Sequence, residues 1–292
     1  MQHSTFKLMA SLLLATQCLL STQVFAADKI RVTASFSVLG DLVRVVGGER
    51  VTVTTLVGPN EDAHAFEPKP VDAKVILASQ VLVSNGLNFE PWAKKLATSA
   101  GFKGESVLAS KGVNTLGADP HAWQNPNNVA IYVRNIAAGL SRVDAQGAAI
   151  YQANAEAYVK ELQTLDTWAK AQFAAIPIAK RKVITSHDAF GYFAAHYQIK
   201  FLSPQGVNSE AEPSAKQVAQ LIRQIQREKI RAVFVENMSN PKLIAQLSQD
   251  AGATVGASLY SDALSAPDQP GATYLQMMRH NVTHLAAGMT LN

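Results

Sequence analysis

The 292-residue chain is 48% hydrophobic and 16% charged, with a net charge of +4 and a single cysteine. That balance excludes a disordered chain, and one cysteine excludes a disulfide framework. The basic residues are scattered, with no block of five like charges, so no nucleic-acid partner is expected.

Residues 1–26 read as a secretory signal. Lys7 supplies the positive start, Leu8 to Leu20 the apolar run, and Val24-Phe25-Ala26 the small-residue cleavage pattern. Lys7 is the only charged side chain in this stretch, so its removal takes the net charge from +4 to +3. The apolar run is too short to span a bilayer, and no later segment offers about 20 apolar residues. A soluble, exported, periplasmic protein is expected. Cys18 lies inside the signal, with Gln17 where a lipid-anchor signal needs a small residue. The mature chain is therefore expected not to be lipid-anchored and to contain no cysteine. Any metal it binds must use histidine, carboxylate or water.

Short β-branched runs then alternate with helical patterns, which predicts an α/β protein with mainly parallel sheets. Strands are expected at 30–34, 51–57, 81–84 and 106–109, and a second set at 182–186, 200–202, 232–236 and 254–259. Between the sets, residues 144–176 are rich in Ala, Gln and Glu, with no proline before Pro177. Ile150, Ala157, Leu162, Leu165 and Trp168 recur there at helical intervals. One helix of about 30 residues, ~45 Å long, is expected to join two lobes and restrain their motion. The expected organisation is an N-terminal α/β lobe over 27–143, the linking helix over 144–176 and a C-terminal α/β lobe over 177–292. Asn125-Pro126 opens a helix over 127–142 and Glu212-Pro213-Ser214 another over 215–228.

Four segments carry metal-capable side chains. They are "VGPNEDAHAFEPKP" with His64, "GADPHAWQNPNN" with His121, "KVITSHDAFGY" with His187 and "VGASLYSDALS" with Asp262. His64, His187 and Asp262 follow strands, where open α/β sheets bind ligands, and His121 stands before a helix entry. Any one of these histidines alone is more often a packed or surface residue. Together, three histidines and an aspartate suit a four-coordinate nitrogen/oxygen site.

With "DAHAFEPKP", "NGLNFEPW", "DPHAWQNP", "TSHDAFGYFAAHY", "SEAEPSA", "VFVEN" and "LYSDALS" in this order, the chain resembles the zinc/manganese solute receptors of ABC importers. The resemblance spans the whole mature chain. It implies two α/β lobes joined by a rigid helix, with a metal in the cleft held by His64, His121, His187 and Asp262. It also implies delivery to an inner-membrane permease driven by a cytoplasmic ATPase. Members with histidine at the third ligand are more often zinc receptors, and those with glutamate are associated with manganese. Ala63 and Asn125 depart from the family's usual proline and aspartate without removing a ligand. Many zinc members carry a His-rich loop between the first two ligands, whereas no histidine lies between His64 and His121. Three imidazoles favour Zn2+ over Mn2+, which prefers oxygen donors. The expectation is a monomeric zinc receptor with manganese as the alternative cargo, and not an enzyme. An exported metallohydrolase using the same four residues is the rival reading, which four protein ligands disfavour because hydrolysis needs an open position for water.

The remaining candidates have plainer readings. Ser186-His187-Asp188 is not a triad, because immediate neighbours rarely reach opposite nitrogens of one imidazole. His196 reads as packing or surface, and His280 and His284 as a surface pair on one helix face. Glu236 either orients a ligand histidine or caps locally. Glu61 and Asp62 read as a solvated loop, and Trp92 and Trp123 as packing, with Trp123 a candidate wall of the site.

Overall fold

The computed structural model describes residues 28–209 and 212–292. The secretory signal and Cys18 lie outside the described residues. Among those described, no helix is long and apolar enough to cross a membrane.

Each half is a four-stranded parallel sheet. The first holds β1 (Ile30–Phe36), β2 (Val51–Val57), β3 (Val81–Ser84) and β4 (Glu105–Leu108) in the order β2-β1-β3-β4. The second holds β5 (Lys182–Ile184), β6 (Lys200–Leu202), β7 (Ala232–Val233) and β8 (Thr254–Val255) in the order β6-β5-β7-β8. The two orders are equivalent, so the halves repeat one topology. β5, β7 and β8 stop short of the expected strands. Beyond β7 and β8, pairing continues only as an isolated bridge between Glu236 and Leu259. The residues past these strand ends are given over to the cleft.

Helices α1 (Ser37–Gly47), α2 (Pro70–Ala78), α3 (Pro91–Ala100) and α4 (Pro126–Val143) belong to the first half. α6 (Gly191–Tyr197), α7 (Ala215–Glu228), α8 (Pro241–Ala251) and α9 (Tyr274–Thr290) follow the long α5 (Ala148–Ala174). Proline opens α2, α3, α4 and α8, where its missing N–H costs no helical bond. α4 is capped by Asn125, which accepts from Asn127 N, and α7 by a reciprocal Ser214–Gln217 box. Gly139 lets α4 lie on β4, since a Cβ there would meet Val107 Cγ2 at 2.2 Å.

At ~1.5 Å per residue the 27-residue α5 spans ~40 Å between the halves. Its buried stripe is Tyr151, Ala155, Tyr158, Leu162, Leu165, Ala169 and Phe173. Ile150 and Ala157 were expected on that stripe, but they face solvent. In so Ala-rich a segment the tyrosines carry the apolar period, and they set it one residue away. One hydrophobic core runs unbroken from β1 and α1 through α5 to Phe193, Met277 and Leu285 of the second half. A smaller core fills the space under α7 and α8. Relative movement of the halves must therefore shear packed side chains, which restrains it.

Candidate metal centre

Each candidate ligand sits beyond the carboxyl end of a strand. His64 lies in the loop after β2, His187 three residues past β5, and Asp262 past β8. His121 ends the connection from β4 and precedes the short turn Ala122–Gln124 that leads into α4. The fold brings all four together, with one donor atom from each lying within 4.8 Å of the others. His121, His187 and Asp262 are fully buried, and the His64 side chain is 7% exposed.

The spacings are informative. His64 Nε2 is 3.2 Å from His121 Nε2 and 3.4 Å from Asp262 Oδ2. His187 Nε2 is 3.1 Å from Asp262 Oδ2, and His121 Nε2 is 3.6 Å from Asp262 Oδ1. Four donors placed tetrahedrally at bonds of about 2.0–2.1 Å would lie ~3.3 Å apart. Among the described residues Asp262 Oδ1 is buried with no hydrogen-bond partner, which is costly for a carboxylate unless a cation reaches it.

Two further carboxylates stand behind the histidines. His121 Nδ1 is 2.7 Å from Asp119 Oδ1, and His187 Nδ1 is 2.5 Å from Glu236 Oε2. His121 Nδ1–H donated to Asp119 leaves its Nε2 lone pair facing the centre, while the Glu236 carboxylate stands beside His187 Nδ1 as a charge without hydrogen-bond geometry. Glu236 also accepts from His187 N at 2.9 Å and from Ser261 Oγ at 2.6 Å. Of the two readings of Glu236, it is the one next to the histidine that the geometry matches. Burial disfavours a charged imidazole, but the carboxylates outweigh it. Asp262, with Glu236 at His187 and Asp119 at His121, raises both histidines above their ordinary range, His187 well above. Burial likewise works against the Asp262 carboxylate, yet the two histidines hold it well below the ordinary range.

An aromatic wall closes one side. The Phe89 ring centroid lies 4.6 Å from His64 and 5.8 Å from His121, and Trp123 lies 5.3 Å from His121. Phe89 follows Gly86, Leu87 and Asn88, all three at positive φ, a tight loop that turns its ring inward. Glu90 anchors that loop, accepting from Ser35 Oγ at 2.8 Å and from Asn85 N. The halves meet here too: Trp123 Nε1 and Gln124 Nε2 both donate to Ser261 O, next to Asp262.

The other candidates fall elsewhere. His196 on α6 pairs with Asp166 Oδ1 of α5 at 2.6 Å, while residues 188–190 are not helical. His280 and His284 lie side by side on α9 with ring centroids 4.3 Å apart and planes tilted by 52°, and His280 Nε2 donates to Ser258 O. Sequence reasoning missed Asp119, Phe89 and Ser261. It had a usable signal for the first, because Asp-x-His occurs at both His64 and His121.

The family model for the periplasmic zinc-uptake complex component A (ZnuA) matches residues 32–288. The chain belongs to the ZnuA family. As a member it is the metal-binding solute receptor of an ABC transporter, a component that works with a membrane permease and an ATPase. It is not an enzyme, and the metallohydrolase reading finds no support. The manganese-binding lipoprotein MntA of Halalkalibacterium halodurans is 33% identical over 269 residues, 90% of this chain and 89% of that protein. The manganese ABC transporter substrate-binding lipoprotein PsaA of Streptococcus pneumoniae is 29% identical, covering 90% of each chain. The Mn-bound periplasmic metal-binding protein of Candidatus Liberibacter asiaticus superposes with a TM-score of 0.82 at 29% identity, covering 89% of this chain and all of that one. The periplasmic zinc-binding protein TroA of Treponema pallidum shares the fold, with a TM-score of 0.85 at 24% identity over 89% of this chain and 99% of TroA.

One expectation is corrected by these relatives. MntA and PsaA are both named lipoproteins, which contradicts the expectation of a chain without a lipid anchor. That expectation rested on Gln17 before Cys18 and on Leu19-Leu20 continuing the apolar run after it.

Proposed function

We propose that this receptor captures a divalent transition-metal ion on His64, His121, His187 and Asp262, taking zinc ahead of manganese. The observation that carries this is the convergence of three imidazole nitrogens and one carboxylate, with one donor atom from each lying within 4.8 Å of the others. Zinc accepts a closed four-coordinate set of this kind, whereas manganese favours more oxygen. Two observations support manganese as the second reading. The relatives MntA and PsaA are named for it. In addition, Asp262 turns one oxygen toward His121 and the other toward His64 and His187, so both can serve as donors.

On this reading the receptor acts as a monomer without a nucleic-acid partner, with lobes over 27–143 and 177–292 joined by 144–176. It passes its ion to the permease. Competitive titration of metal-stripped protein with zinc and manganese tests the order of preference, and tighter manganese binding reverses it. Replacing His64, His121 and His187 by alanine, singly and together, tests the site. One ion per chain in the parent and unchanged affinity in the variants would remove the assignment.

A further inference from the structure

The two first-half histidines share a local device but use it differently. Asp62 Oδ1 accepts from His64 N at 2.8 Å, as Asp119 Oδ1 accepts from His121 N at 2.9 Å. Asp119 then also takes the ring nitrogen of its own histidine. Asp62 does not. Among the described residues, the only carboxylate within 4.0 Å of a His64 ring nitrogen is Asp262, on the metal side. Among the described residues His64 is thus the one ligand histidine without a carboxylate behind its ring, and the one with some exposure.

The free oxygen of Asp62 crosses the cleft. Oδ2 accepts from Ser209 Oγ at 2.6 Å, 147 residues along the chain. Ser209 belongs to a turn fastened to the other half's ligand. Gln205 Nε2 donates to Ser209 O, Gln205 N to Ser186 O, and Asp188 N to Gly206 O. A hydrogen-bonded path therefore runs from His64 through Asp62 and the 205–209 turn to both neighbours of His187, without passing through the metal.

Building on the metal-receptor reading above, we propose that Asp62 is a positioning residue. Tied across the cleft to Ser209, it holds His64 on the ion and sets how long the ion stays bound. His64 is then the ligand that leaves first, and rupture of the Asp62–Ser209 bond is what frees it. The seam holds a cavity of about 300 Å³ lined by Asp62, Gln205, Ser209, Met238 and Asn240, so water can compete for the tie. The same loop keeps a second set of ties, Asn237 Nδ2 to Asn60 Oδ1 and Asn60 N to Leu264 O. Cutting the Ser209 bond alone therefore loosens His64 without detaching its loop.

The test is stopped-flow release of zinc from the full chain, loaded with one equivalent and chased with excess chelator. Ser209→Ala should release zinc about fivefold to tenfold faster, the share of one charge-assisted hydrogen bond at a hydrated seam. Its association rate and the melting temperature of the metal-free form should match the parent. Ser209→Thr, which keeps the hydroxyl, should restore slow release. Asp62→Ala, which also frees His64 N, should be faster than Ser209→Ala. A Ser209→Ala rate within twofold of the parent, or a threonine variant as fast as the alanine one, overturns the tie while leaving the receptor reading intact. Failure of the parent chain to hold one zinc overturns both.

Discussion

Glu236→Gln separates two opposed effects of one buried carboxylate. Glu236 accepts from His187 N on one oxygen, and from Ser261 Oγ on the other, which also lies 2.5 Å from His187 Nδ1. Glutamine replaces one of these acceptors by an amide NH2. Whichever way it turns, His187 N or Ser261 Oγ loses its acceptor, and the negative charge beside the His187 ring is gone. Loss of such a carboxylate behind a ligand histidine typically lowers metal affinity about 10–100-fold, ~1.4–2.7 kcal/mol. The opposing effect is proton competition. Burial works against a charged His187, but Glu236 and Asp262 outweigh it and raise its pKa well above the usual value, so an arriving ion must displace a proton. Removing the charge of Glu236 lowers that pKa and eases the displacement. This second effect exists only at pH values where parental His187 is protonated. Chelator-competition titrations across a range from about pH 6 to about pH 9 should therefore show a deficit that widens as pH rises. A deficit below threefold at about pH 9, or one that stays constant with pH, would refute the reasoning.

Three further predictions concern the frame around the centre. Burial raises the Glu90 pKa from 4.5 to about 7, so the folded state holds this proton more tightly than the unfolded one. Its stability is full below about pH 4.5, declines toward pH 7 and stays reduced above it. Glu90→Gln should abolish that decline and gain at most ~3 kcal/mol at pH 8 in denaturant titrations. Asp166 opposes its own burial through hydrogen bonds from Lys170 and His196, which lower its pKa. Its contribution is present above the unfolded pKa and lost as pH falls. Asp166→Ala should therefore cost about 1–3 kcal/mol near neutrality, converge with the parent near pH 3, and leave zinc affinity unchanged. Asn125→Ala removes the cap of α4 and should cost about 1 kcal/mol in the same titrations.

Local signals carried the sequence reading as far as local physics reaches. β2, β3, β6 and α7 fall on their expected residues, because β-branched runs, proline at helix starts and the Ser214–Gln217 box act within a few positions. The expected strands at 182–186, 232–236 and 254–259 overran β5, β7 and β8. Their apolar runs continue into segments whose backbone leaves the sheet toward the cleft. The four candidate ligands were legible as residues just past strand ends or at a helix entry. What surrounds them was not, because the partners are distant in sequence: Glu236 lies 49 residues from His187, and Ser209 lies 147 from Asp62.

Asp62 and Asp119 show where that boundary falls. The two Asp-x-His tripeptides are identical in pattern, and both aspartates accept the backbone N–H two residues on, an outcome the pattern alone dictates. Their second roles diverge because of what lies opposite. Asp119 is 9% exposed, and it turns back to the ring of His121. Asp62 stands at the open seam, where Ser209 faces it from the other half. The sequence alone gives Asp62 a solvated loop, and composition offers nothing better. Only the packing of one half on the other turns that carboxylate from a surface charge into a cross-cleft bond. The two first-half histidines should therefore differ in dynamics rather than in chemistry: the same imidazole donor is fixed from behind at His121 and held from across the cleft at His64. An ion held by both would leave by the second.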